Sequence, residues 1–309
     1  MSTFAYVLNT HLTRRAVGIA LAFVTALVSG VAVFVNSYGV KHFGDATVYT
    51  TAKNAVAALV LLSLLAVPVG TSSPRRPLTP RRWLGLLAVA TIGGSIPFIL
   101  FFEGLARADA TQAAFIQKTL VIWVALLAVP LLHERLGLGH LAAIAFVIAG
   151  QAWLAGDPGT VTFGAGEAMI VAATLLWACE VILVKRLLAA VTPRALAAAR
   201  MGIGTLLLIA WLAASGRLDG LVSLSAEQWR WAVLTGLLLS AYVGTWYAAL
   251  ARAQAVDVTA VLVLGAVVTA LLDRAANGVA VDGVGVGLIC IGAALAVFAG
   301  RPRAAHARL

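Results

Sequence analysis

The side chains of this chain that can do chemistry are a few charged, amide and aromatic groups set inside long apolar runs. Lys118 follows Phe115-Ile116-Gln117 and precedes the apolar stretch that starts at Leu120. A charge at mid-bilayer depth costs ~2.5–3.5 kcal/mol on insertion scales, so it needs a partner, a wet cavity or a route to the interface. Lys118 lies about eight residues, roughly 12 Å, into its run, too deep for easy snorkelling. It can anchor an anionic group such as a carboxylate, or form half of a structural ion pair. Glu180 is the carboxyl to set beside it: it can pair with Lys118, meet Lys185 or Arg186 near the helix end, or carry a proton between two sides of a membrane. Asn36 and Gln117 are candidate polar groups for the same site. Trp177 is a candidate aromatic wall, and Tyr242 and Trp246, four residues apart, share one helical face. Each aromatic has a plainer reading as packing or interfacial belt.

These groups must be positioned by membrane helices. The chain of 309 residues is 62% hydrophobic and only 11% charged, a balance that leaves apolar surface against water in any soluble domain. A span needs ~20 apolar residues. Ten segments qualify: 16–36, 47–68, 83–104, 111–132, 138–155, 165–186, 194–214, 230–251, 257–273 and 284–300. The ninth is as short as any. Gly93, Gly94 and Pro97 fall inside the third, where a missing donor invites a kink.

A net charge of +10 would suggest nucleic acid in a soluble protein, but here the cations alternate between loops. Arg14 and Arg15 precede the first span. Arg75, Arg76, Arg81 and Arg82 separate the second from the third, Lys185, Arg186 and Arg194 the sixth from the seventh, and Arg301, Arg303 and Arg308 follow the tenth. The intervening loops are neutral or acidic, as at Asp157 and Glu167. Positive-inside bias therefore places both termini in the cytoplasm, as an even span count requires. The partners expected are the lipid bilayer and a small molecule, with no nucleic acid; oligomeric state is not legible.

The chain also repeats itself. Leu105-Ala106-Arg107-Ala108 returns as Leu250-Ala251-Arg252-Ala253, and Val40-Lys41 as Val184-Lys185. At nearly the same spacing Lys53 falls opposite Arg200, and Asn36 opposite Glu180. The halves are 16–155 and 165–300, with five helices each. An odd count makes the second copy enter the membrane from the opposite side, so the fold expected is an all-α membrane protein of ten transmembrane helices in two inverted five-helix repeats. Lys53 and Arg200 are expected to be structural, with their heads at interfaces or on helix-end carbonyls.

The segment from Phe115-Ile-Gln-Lys118 through Trp123 to Pro130-Leu-Leu-His-Glu134-Arg135, followed by Gly139 and Gly150, together with Leu176-Trp177-Ala178 running to Lys185-Arg186, resembles the drug/metabolite transporter superfamily in its ten-helix, EamA-type form. That resemblance implies two EamA-like repeats and a secondary transporter, an exporter of small metabolites such as amino acids or organic acids, or of drugs, across the cytoplasmic membrane. Proton coupling, with Glu180 as the candidate, belongs to the same expectation. The second copy departs from the pattern, since Ala275 and Val279 stand where a proline and a glutamate are expected, so a role for Glu134 does not carry over.

Two other readings compete. A polytopic membrane enzyme wants a histidine base or metal ligand near the reacting bond, yet His11, His42, His133, His140 and His306 map to loops, tails or span edges. A channel or structural subunit is separated from a carrier by saturable, stereoselective uptake. His133-Glu134 lacks the second histidine of a zinc-protease helix, and Gly283-Val-Gly285-Val-Gly287 has no preceding strand to make it a dinucleotide loop. Cys179 and Cys290 fall inside spans and are expected to be small buried hydrophobes. No catalytic residue, metal or cofactor is expected.

Overall fold

The computed structural model describes residues 2–67, 79–105, 107–108, 110–155, 163–278 and 280–299. Arg75, Arg76, Asp157 and the cations after 300 lie outside them. In chain order the helices are α1 (Ser2–Gly39), α2 (Ala46–Ala66), α3 (Pro80–Gly94), α4 (Ile96–Leu105), α5 (Ala110–Lys118), α6 (Leu120–Leu132), α7 (Leu138–Ala155), α8 (Ala165–Leu187), α9 (Pro193–Ala214), α10 (Leu218–Val222), α11 (Ala226–Leu250), α12 (Ala255–Leu262), α13 (Leu264–Asn277) and α14 (Gly283–Ala299). There is no strand among the described residues.

Among the described residues, eight helical stretches are long and apolar enough to cross a bilayer, and two shorter ones, Leu138–Leu154 and Gly283–Ala299, complete the ten. The ninth stretch, Ala255–Asn277, spans 23 residues and is longer than the sequence suggests; the fifth and tenth are the short ones. Local chemistry sets the ends. Asp45 caps α2, accepting from the Thr47 and Val48 amides at 2.7 and 3.1 Å. Ser225 and Gln228 form a reciprocal capping box at α11. Pro193 sits in the first turn of α9, where its missing N–H is harmless.

Three spans are broken near their middles. The third breaks at Ser95, between α3 and α4, where the sequence places Gly93, Gly94 and Pro97. The fourth breaks at Thr119 and the ninth at Val263, residues at equivalent places in the two halves.

The halves interlock. α1 packs on α11, α12 and α13 of the second half, and α8 packs on α3, α4, α5 and α6 of the first. Across the pseudo-two-fold axis α2 meets α9, and α7 meets α14. The symmetry reaches single atoms. A Cβ on Gly94 would lie 2.4 Å from the Arg200 carbonyl oxygen, and one on Gly236 would lie 2.7 Å from that of Lys53. Both positions need glycine so that α3 can approach α9, and α11 can approach α2.

The largest buried cluster gathers Leu86, Leu196, Met201, Tyr247 and Leu250 from both halves. Leu59, Leu84 and Leu206 are more than 60% exposed on the outer surface, the side a lipid would wet. Cys179 and Cys290 are also exposed there rather than buried, because each falls on the helix face turned away from the core.

Candidate functional site

The helix breaks open a cavity of about 370 Å³ between the halves. α1, α2, α4, α5 and the start of α6 line it from the first half, and α8, α9, α11 and α12 from the second. Its lining runs to Ser37, Val40 and Leu105, at the ends of α1 and α4 on the face remote from Arg14 and Arg15, here called distal. Toward the opposite, proximal face it stops at Trp246 and Thr259, about one turn short of the helix ends.

Asn36, Gln117, Lys118, Trp177, Glu180, Tyr242 and Trp246 all stand on this wall. Lys118 occupies the last position of α5, immediately before the break at Thr119. Among the described residues it has no ion pair. Glu180 does not meet Lys118, Lys185 or Arg186. Arg200 Nε lies 3.0 Å from Glu180 Oε1, outside hydrogen-bond angles, and the Tyr247 hydroxyl donates to the same oxygen. Lys185 instead donates to the Leu250 and Ala253 carbonyls at the end of α11, and Arg186 to the Leu131 carbonyl.

Lys53 and Arg200, which the sequence assigns to interfaces or helix-end carbonyls, lie on the cavity wall and are 5% exposed. The Lys53 ammonium donates to Asn36 Oδ1 at 2.9 Å, and the Tyr49 hydroxyl donates to the same oxygen at 2.6 Å. Arg200 Nη2 donates to the Gly93 carbonyl at 2.9 Å, and Trp177 Nε1 donates there at 3.2 Å. That carbonyl is free because the residue one helical turn on is Pro97, which has no N–H to offer it. The proline therefore does more than bend the span: it exposes an acceptor that fixes two wall residues. The signal was present in the sequence as Gly93 and Pro97 four apart.

The aromatic part of the wall falls into two groups. Trp177 packs against Phe98 and Phe101 at centroid distances of 5.7 and 5.6 Å, and Tyr242 stacks on Trp246 at 6.1 Å. Phe98, Phe101 and Phe102 were missed by sequence reasoning because a phenylalanine run in a span carries no sign of which face it turns.

The EamA-like transporter family model matches residues 16–156 and 164–298, once on each half. The chain belongs to the EamA-like transporter family. It is a multi-pass membrane protein of two repeats. Its fold is similar to that of a solved protein described only as "Crystal structure of protein", at 20% identity and a TM-score of 0.73, over 90% of this chain and 97% of that one. No curated protein matches the sequence.

In this transporter, polar clusters join the two halves near each end of the helices that line the cavity. On the proximal side Glu134 accepts from the Ala255 and Val256 amides at 2.7 and 3.2 Å, capping α12 from the other half. This gives Glu134 a physical role at the seam between the halves. Beside it Arg15 pairs with the fully buried Asp257 at 2.8 Å, and His140 Nε2 lies 3.3 Å from the same carboxylate. On the distal side Arg217 of the second half bridges Asp45 and Glu103 of the first at 3.1 and 3.0 Å.

Proposed function

We propose that the protein is a secondary active carrier that exports a small organic metabolite or drug across the cytoplasmic membrane by alternating access, with both termini in the cytoplasm. The observation that carries this reading is the cavity itself. It lies between two inverted halves, takes lining from both, sits at broken helices, and is flanked by an inter-half polar cluster at each end. Irregular backbone at membrane depth is tolerated where it lines a cavity, and in transporters built this way the site lies near the midplane. Rocking one half against the other opens one cluster as the second closes.

In this reading Lys118 and Gln117 contact the solute beside the α5–α6 break, Asn36 orients the first-half side of the site, and Trp177, Tyr242 and Trp246 hold its apolar body. Glu180 is the proton-coupling candidate, since proton uptake there releases Arg200 and Tyr247. Amino acids and organic acids are the substrate classes the family resemblance implies, and export the direction.

The test is counterflow in liposomes containing the purified chain, screened with amino acids, organic acids and cationic drugs. Saturable, stereoselective counterflow is expected, and Lys118→Ala is expected to abolish it with insertion intact. Non-saturable flux favours a channel. Wild-type rates in the Lys118 variant remove that residue from the site.

A further inference from the structure

The internal symmetry relates two buried pairs that differ by one charge. In the second half Arg200 faces Glu180, an anion. At the equivalent place in the first half Lys53 faces Asn36, an amide. The rest of the Lys53 environment is made of ring faces, with the ammonium 4.6 Å from the Phe102 centroid and 4.9 Å from that of Tyr49. An amide oxygen and two rings attract a cation, but none of them carries a formal negative charge. Lys118 brings a second cation to the same cavity.

The acids of the chain are committed elsewhere. Of the twelve Asp and Glu residues, Asp109 and Asp157 lie outside the described residues. Asp45 and Glu103 hold Arg217, Glu134 holds the α12 amides, and Asp257 holds Arg15. Glu167 accepts from the Gly164 amide and Asp282 from the first amides of α14. Asp219 is exposed, Glu227 pairs with His42 at 3.0 Å, Asp273 accepts from the Asn277 side-chain amide, and none of the three lines the cavity. Among the described residues only Glu180 stands on the wall, and Arg200 and Tyr247 already occupy it.

We infer that the solute carried is an organic anion with an aromatic or otherwise apolar body and no ammonium group, and that Lys53 acts with Lys118 to bind it. This rests on the transport reading above and narrows it. The acid group of the solute supplies the negative charge that the first half lacks, and the body lies along Phe98, Phe101 and Trp177. A zwitterion brings an ammonium to a wall with no free carboxylate, and a cation meets two like charges, so both are rejected.

A matched series tests this in the full-length purified chain: 3-phenylpropionate, phenylalanine and 2-phenylethylamine share the ring and arm but differ in charge. Calorimetric binding is expected to favour 3-phenylpropionate over phenylalanine by at least tenfold, with no binding of 2-phenylethylamine. Asn36→Asp gives the first half its own anion, and Lys53→Met removes the cation. Each is expected to weaken 3-phenylpropionate at least tenfold, and the first keeps the shape of the site should the second unfold. Phenylalanine binding as tightly as 3-phenylpropionate overturns the inference. So does unchanged affinity in both variants, or binding of none of the three. Saturable counterflow of other amino acids or cationic dyes would then leave the transport reading standing; absence of saturable flux for every solute sinks that reading itself.

Discussion

Replacing Arg200 by methionine should be among the most damaging single changes in this protein, whereas the same change at the symmetry-related Lys53 should be nearly silent for stability. Glu180 is 3% exposed, and removing Arg200 leaves its carboxylate at membrane depth with only the Tyr247 hydroxyl. Breaking a buried pair from one side costs about 3–5 kcal/mol. The Gly93 carbonyl also loses its 2.9 Å donor but keeps Trp177, which adds about 1 kcal/mol. The double variant Arg200→Met, Glu180→Gln leaves no orphaned charge, and its cost should fall to about 1–2 kcal/mol. At Lys53 the partner is neutral. Losing a charged hydrogen bond, about 1.5–3 kcal/mol, is offset by removing a cation that costs about 2.5–3.5 kcal/mol at depth, so the net change should stay within about 1 kcal/mol. Reversible unfolding in mixed detergent micelles, titrated with a denaturing detergent, measures all three. An Arg200 variant within about 1 kcal/mol of wild type, or a double variant no better than the single, would refute the charge pairing on which this reasoning stands.

Three further outcomes follow from the same geometry. Glu180→Gln should remove the dependence of transport on a pH gradient while counterflow without a gradient persists; undiminished dependence retires Glu180 as the coupling group. Pro97→Ala restores an N–H that competes with Arg200 and Trp177 for the Gly93 carbonyl, so the apparent KM should rise several-fold with little loss of stability. Unchanged kinetics would show that the freed carbonyl does not set the wall. Gly236→Ala puts a Cβ 2.6 Å from that of Val56 and 2.7 Å from the Lys53 carbonyl, and should lower the unfolding midpoint by the equivalent of about 1–3 kcal/mol.

Much of the architecture is legible in the residues because the bilayer imposes it. Apolar runs of the required length mark the spans, and the near-match of Asn36 with Glu180 and of Lys53 with Arg200 marks the duplication. The polar groups of the wall were also visible, since a lysine or glutamate in an apolar run has few places to go. The pairing was not. Lys185 is only five residues from Glu180 in sequence, yet the tertiary approach of α3, α8 and α9 through Gly93 and Gly94 brings Arg200 to it instead. Lys53 and Arg200 look interfacial when counted from the helix ends. They turn inward because α2 and α9 pack face to face across the symmetry axis, with their cations aimed into the cavity. The cysteines fail for a related reason: burial in a bilayer and burial in the protein are different things, and hydropathy does not distinguish them.

Alternating access around this cavity can be read at Gln117, on the wall beside the α5–α6 break. With Cys179 and Cys290 replaced by alanine, a single cysteine at Gln117 should react with a membrane-impermeant thiol reagent added to either face of sealed, oriented vesicles, and a saturating transported solute should slow both reactions. Reaction from one face only, at a rate the solute does not change, contradicts a shared site that opens to each side in turn.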